Sequence, residues 1–162
     1  MNRGVVYACS HERWLGETLV SAESCRQHMS DLAREIFITR DLHDGTQLAG
    51  LFTRVVVLPE AGHAHRPRFE AALQTGLNQA ILIDGDTLFL APVYELFDVL
   101  DHFDIALAAA PQYFSPQAIH LGVYDLLPKV SPALPEWNGG LIVARVDDAF
   151  RRMVELWVAL FR

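Results

Sequence analysis

The sequence predicts an α/β fold with a mostly parallel central sheet flanked by helices. Short apolar runs of strand length alternate along the chain with segments in which apolar residues recur every three or four positions. Most of these runs are apolar throughout, as in strands that are buried on both faces of a parallel sheet. Since no internal repeat or low-complexity tract appears, we expect a single domain spanning residues 1–162.

The first half of the chain alternates strand and helix. Apolar runs predict strands at 4–9, 35–39 and 53–58. Between the first two, residues 12–29 have helical periodicity, and Ser10 is a suitable N-cap. The buried stripe of this helix is predicted to consist of Trp14, Leu15, Leu19, Ala22, Cys25 and Met29.

The second half continues the pattern. Pro67 is expected to open a helix, because its missing N–H costs nothing in the first turn. Further strands are predicted at 80–83, 104–109 and 141–146, with a short helical stripe over 93–100. Asp147 is expected to cap a last helix whose apolar stripe ends at Phe161, and residues 110–136 form a loop long enough to suggest a function.

Composition limits the classes of partner. The chain has 13 Lys and Arg against 20 Asp and Glu, a net charge of −7, which disfavours nucleic acid and anionic membranes. No run approaches the roughly 20 apolar residues that span a bilayer. Cys9 and Cys25 match neither a CxxC nor a zinc-finger spacing, so we expect buried thiols and a cytoplasmic protein.

The strongest chemical signal is the pair Asp84 and Asp86, which follows the predicted strand at 80–83. Two carboxylates at the end of a buried strand repel each other unless a cation lies between them, and Gly85 lets the backbone turn there. Hard divalent ions prefer oxygen ligands and also bind diphosphates. The pair therefore predicts a Mg²⁺ or Mn²⁺ site, with an ordinary surface turn as the alternative.

A haloacid-dehalogenase-type phosphatase is a competing interpretation of Asp84-Gly85-Asp86-Thr87. Its motif places Thr one residue later and follows the first strand of the fold, so the match fails. Three histidines are candidates of lower rank. His63 and His65 lack a third metal ligand in the sequence, and His120 has the character of a loop residue.

Three segments resemble GT-A-fold nucleotide-diphospho-sugar transferases related to the family 8 glycosyltransferases. The first is the opening strand at 4–8 with its helix. The second is residues 68–89, a helix, a strand and the D-x-D-T motif, followed by L-F-x-x-L-x-x-F-D-I-A at 96–106. The third is P-E-W-N-G-G-L-I-V at 135–143. The similarity extends over about residues 4–157.

This resemblance implies transfer of a sugar from a nucleoside-diphosphate sugar, such as a UDP-sugar, to an unknown glycan, protein or small-molecule acceptor. It implies that Asp86 ligates Mn²⁺ or Mg²⁺, that Asp84 supports the metal or contacts the ribose, and that Arg68 faces the donor phosphates or sugar. Ala8, Cys9 and Ser10 would border the base and ribose, and Asn138, Gly139 and Gly140 would line the donor-sugar and acceptor side, with Asn138 part of the catalytic set.

Two departures from the family pattern support an alternative. The first loop has Ser10-His11-Glu12, where many relatives have an Asp that contacts the nucleotide. The family's C-terminal metal-ligating His segment does not occur before Arg162, so the chain resembles a shortened relative. The alternative is a catalytically inactive sugar-nucleotide-binding or scaffold module. Trp137 would either stack on a sugar or anchor its loop.

Overall fold

The fold was determined from a computed structural model, which describes residues 2–39, 42, 48, 50–58, 66–109 and 137–160. In chain order, the elements are β1 (Arg3–Cys9), α1 (Glu12–His28), β2 (Ala33–Thr39), β3 (Arg54–Leu58), α2 (Arg66–Gln74), β4 (Gln79–Ile83), α3 (Glu95–Asp98), a 3₁₀ turn (Val99–Asp101), β5 (Ile105–Ala109), β6 (Trp137–Arg145) and α4 (Asp148–Leu160).

The strands form one six-stranded sheet in the order β3-β2-β1-β4-β6-β5. The pairs β1–β2, β1–β4 and β2–β3 are parallel, whereas β6 runs antiparallel to both β4 and β5. This confirms the predicted mostly parallel sheet. Because β6 is reversed, its first residues lie at the same edge of the sheet as the carboxyl ends of β1 and β4.

Both faces of the central strands β1, β2 and β4 are buried, which explains why most of their residues are apolar. Successive side chains of a strand point to opposite faces, so Val5 and Tyr7 pack with α1 and α3. Val6 packs on the other face, against α2 and α4. The sheet therefore has a core on each side, as the sequence predicts.

The start of α1 differs from the prediction. The N-cap is His11 and not Ser10, since His11 Nδ1 accepts a hydrogen bond from the Arg13 N–H at 3.2 Å. Trp14 is 40% exposed, whereas Leu15 is buried. Adjacent helical residues point about 100° apart. When α1 is oriented so that Leu15 is buried, Trp14 lies at the edge of the buried face.

Strand β6 begins at Trp137, four residues before the predicted start at Leu141. Asn and Gly are poor strand formers, which hid the first part of this strand in the sequence. It is nevertheless a strand, because Asn138 pairs with Ala108 beside an irregularity in the register between β5 and β6. Asn138, Gly139 and Gly140 are therefore strand residues.

The final helix agrees with its predicted start, because the Phe150 N–H donates to Asp147 Oδ1 at 2.9 Å. The predictions for the 110–136 loop, His63, His65, His120 and Phe161 fall outside the residues that the structure describes. Among the described helices, none is long and apolar enough to cross a membrane.

Candidate functional site

A cavity of about 230 Å³ opens at the edge where β1 and β4 end. In open α/β sheets, ligands characteristically bind at the carboxyl ends of the strands. The described residues that line the cavity come from β1 and the residue after it, α1, α2 and the turn after β4. They are Ala8, Cys9, Ser10, Trp14, Glu17, Thr18, Pro67, Arg68, Asp84, Gly85 and Asp86.

Asp84 and Asp86 both line this cavity. Asp84 extends the sheet by one residue, since its N–H donates to the Gly140 carbonyl at 2.9 Å. The chain then turns, and the Thr87 N–H returns to the Asp84 carbonyl at 3.3 Å. Asp84 is partly buried and Asp86 is exposed. The acidic pair therefore faces a shared cavity.

Gly85 lies between the two acidic residues, and the sequence predicts glycine there because it lets the backbone turn. The structure gives a different reason for the missing side chain. The φ of Gly85 is not in the left-handed region, where Gly50 lies at 82°. A Cβ on Gly85 would instead lie 2.1 Å from Thr18 Oγ1 and 3.2 Å from Thr18 Cα. The missing side chain thus permits close contact between the acidic turn and α1.

Arg68 supplies a cation beside the acidic pair. Its guanidinium forms an ion pair with Asp84, and its Nη1 donates to the Gly139 carbonyl at 2.7 Å. Burial lowers the pKa of Arg68, and the nearby Asp86 carboxylate opposes that shift. Arginine nevertheless stays charged in proteins. Part of the repulsion between Asp84 and Asp86 is therefore offset by the chain itself.

Asn138, Gly139 and Gly140 lie behind this ion pair and are not among the described lining residues. Asn138 Oδ1 accepts a hydrogen bond from the Gly140 N–H at 2.7 Å. A Cβ on Gly140 would lie 2.7 Å from Asp84 Oδ2 and 2.9 Å from Asn138 Oδ1. In this structure the bare backbone at Gly140 makes room for the Asp84 carboxylate.

Ala8, Cys9 and Ser10, which were predicted to border the nucleotide, also line the cavity. Trp14 lines the cavity too, although the periodicity of α1 predicts a buried position for it. The Trp14 ring lies edge-on to His11, with 5.6 Å between centroids, and the Arg13 guanidinium lies 5.2 Å from its centre. Its position in the first turn after β1, beside the predicted base pocket, was the signal that could have identified it.

The carboxylate oxygens of Asp84 and Asp86 suit a hard divalent ion that also binds the phosphates of a ligand. Among the described residues, no three His, Cys, Asp or Glu side chains form a metal-binding group. Mg²⁺ is, however, commonly held by one or two carboxylates plus substrate phosphates and water. Asp86, with Asp84 beside it, fits that pattern.

The architecture is that of glycosyltransferases of the GT-A-like type. The chain is similar to the glycosyltransferase GlyE of Streptococcus pneumoniae TIGR4, with a TM-score of 0.63, 14% identity and 97% of this chain covered. It is also similar to the galactosyltransferase LgtC in complex with donor and acceptor sugar analogs, with a TM-score of 0.64, 13% identity and 97% covered. No family model matches the sequence, and no curated protein matches it.

The chain spans only part of these structures. It covers 38% of the GlyE chain and 64% of the LgtC chain. At these identities the likeness establishes the shared fold. The chemistry of this chain therefore depends on the residues that line its own cavity.

Proposed function

We propose that this protein is a metal-dependent glycosyltransferase that takes its sugar from a nucleoside-diphosphate sugar, with a UDP-sugar as the first candidate. The observation that carries the proposal is the placement of Asp84 and Asp86 in one cavity at the carboxyl edge of a GT-A-like sheet. The acceptor is a glycan, a protein or a small molecule.

Different residues of the cavity are proposed to bind different parts of the sugar-nucleotide donor. A divalent ion held by Asp86 and Asp84 would neutralise the charge that develops on the departing nucleoside diphosphate. Arg68 holds the Asp84 carboxylate in place and brings further N–H donors to the cavity. Ala8, Cys9 and Ser10 form the wall proposed for the base and ribose.

The proposal is tested by incubating the protein with a panel of UDP-, GDP-, ADP- and TDP-sugars, with Mn²⁺ or with EDTA. We expect release of one nucleoside diphosphate that depends on Mn²⁺. Metal-dependent binding of a nucleotide sugar without release, even with added acceptors, would favour the inactive binding module. The absence of both binding and release would contradict both functions.

Trp14 is expected to contribute to nucleotide affinity. Its exposed ring lies at the cavity, and stacking of a base on an aromatic ring is worth about 1–3 kcal/mol. Trp14→Ala should therefore weaken UDP binding about tenfold in calorimetry, and Trp14→Phe should restore most of it. Leu156→Ala, which removes a 66% exposed side chain on α4, is the control. Equal UDP affinity in Trp14→Ala and the wild type would exclude stacking.

Arg68→Gln should have opposite effects on two ligands. Loss of the positive charge beside Asp84 and Asp86 should tighten Mn²⁺ binding severalfold without nucleotide. UDP binding without metal should weaken about tenfold, since a hydrogen bond to a charged group is worth about 1.5–3 kcal/mol. Arg152→Gln, on the exposed side of α4, is the matched control. Effects of the same sign on both ligands would contradict the assigned role of Arg68.

A further inference from the structure

Three hydroxyl residues recur at every third position on the buried side of α1. Thr18, Ser21 and Ser24 are only 1%, 0% and 7% exposed. Buried hydroxyls cost free energy unless they are hydrogen-bonded. Their placement in a helix that otherwise buries apolar side chains therefore calls for partners.

As donors, the hydroxyls are satisfied locally. Thr18 Oγ1 donates to the Trp14 carbonyl at 2.9 Å. Ser24 Oγ donates to the Ser21 carbonyl at 2.7 Å, and Ser21 Oγ lies 3.4 Å from the Tyr7 hydroxyl.

The same three side chains also contact the segment that carries the acidic pair. Thr18 contacts Gly85 so closely that no Cβ would fit between them. Ser21 Oγ lies 3.4 Å from Thr87 Oγ1. The Phe89 N–H donates to Ser24 Oγ at 3.0 Å. Successive hydroxyls of α1 thus meet residues 85, 87 and 89 in turn.

This arrangement gives residues 85–90 an alternating pattern of exposure. Gly85, Thr87 and Phe89 face inward and are partly or fully buried, whereas the residues between them are exposed. Asp86 is the first of those exposed residues. The Thr87 hydroxyl also donates to the Asp84 carbonyl at 2.6 Å, which closes the turn around Asp86.

We propose that Thr18, Ser21 and Ser24 of α1, together with Thr87, are positioning residues that fix the turn at 84–87 and hold Asp86 toward the cavity. This inference rests on the proposed function, because it assigns these hydroxyls a role in divalent-cation binding. Ser21, Ser24 and Thr87 do not line the cavity, so they act through the backbone of the turn. Thr18 lines the cavity and also packs against Gly85.

Thr87→Val tests the inference, because it removes the hydroxyl and keeps the branched shape. With UDP present, we expect the Mn²⁺ Kd to rise about tenfold, as for other changes behind a metal ligand. In metal-free protein, amide hydrogen exchange over 84–89 should accelerate severalfold. Thr87→Ser should restore both values. Ser24→Ala, which removes the acceptor for the Phe89 N–H, should act in the same direction if Thr87→Val folds poorly.

Thr39→Val is the matched control. Thr39 is 5% exposed, and its hydroxyl has no hydrogen-bond partner in the described part of the chain. It should leave both the Mn²⁺ Kd and the exchange over 84–89 unchanged. If the wild type binds Mn²⁺ and both Thr87→Val and Ser24→Ala bind it with the same affinity, this inference is overturned and the proposed function is not. No Mn²⁺ uptake by the wild type would overturn it together with the proposed function.

Discussion

Asp86→Asn is expected to reduce metal-dependent release of the nucleoside diphosphate by at least about 100-fold. Asn has nearly the same shape as Asp, so the turn that Thr87 and α1 hold should persist. It lacks the charge that attracts a divalent ion to the exposed position in the cavity. Stabilisation of a leaving group by a metal is worth several kcal/mol, and each 1.36 kcal/mol is about tenfold in rate.

The measurement is the initial rate of nucleoside-diphosphate release at saturating Mn²⁺, using the donor found in the sugar-nucleotide panel. Asp98→Asn is the control, because Asp98 is an exposed carboxylate on α3 that does not line the cavity. It should leave the rate unchanged. A rate for Asp86→Asn within about twofold of the wild type would remove Asp86 from the proposed metal site.

Gly4→Ala is expected to cause the largest loss of stability among single-methyl additions. Gly4 lies opposite Ala33 in the parallel pairing of β1 with β2. A Cβ on Gly4 would lie 2.2 Å from the carbonyl oxygen of Ala33 and 2.8 Å from the carbonyl carbon of Ala33. Because both are backbone atoms, the strands must separate. Overpacking of this kind costs about 1–3 kcal/mol and occasionally more.

Gly16→Ala is the matched control, since the chemical change is identical. Gly16 is exposed in α1, and a Cβ there would meet nothing within 4 Å. Replacing a helical glycine by alanine stabilises a protein by roughly 0.5–1 kcal/mol. Urea unfolding should therefore give changes of opposite sign for Gly4→Ala and Gly16→Ala. If Gly4→Ala were as stable as the wild type, β1 and β2 would be packed less closely than the 2.2 Å distance requires.

Most of the strands and helices could be predicted from apolar patterns among residues that are neighbours in the sequence. Strands buried on both faces are mostly apolar, so β1, β2 and β4 were recognisable from their apolar runs. Strand β6 was shortened in the prediction because its first residues owe their conformation to distant segments. Trp137 and Asn138 pair with β5, and the Gly140 carbonyl accepts from the Asp84 N–H. Backbone pairing between distant segments overrides local propensity there.

The candidate site was predictable only in part. Asp84 and Asp86 were identifiable because two carboxylates directly after a buried strand repel each other unless a cation lies between them. The ion pair between Arg68 and Asp84 was not, because α2 and the end of β4 meet only in the folded chain. Gly85 was assigned to a turn for its conformational freedom, whereas its contact with Thr18 explains the missing side chain. Contacts between elements carry no local sequence signal.

The most direct test of the account is calorimetric titration of UDP into the protein with Mn²⁺ and, separately, with EDTA. If Asp84 and Asp86 hold a cation that bridges to the diphosphate, UDP affinity should be at least about tenfold higher with Mn²⁺, and Asp86→Asn should abolish that difference. Equal UDP affinity with and without the metal, or a Mn²⁺ effect that survives in Asp86→Asn, would contradict the proposed site.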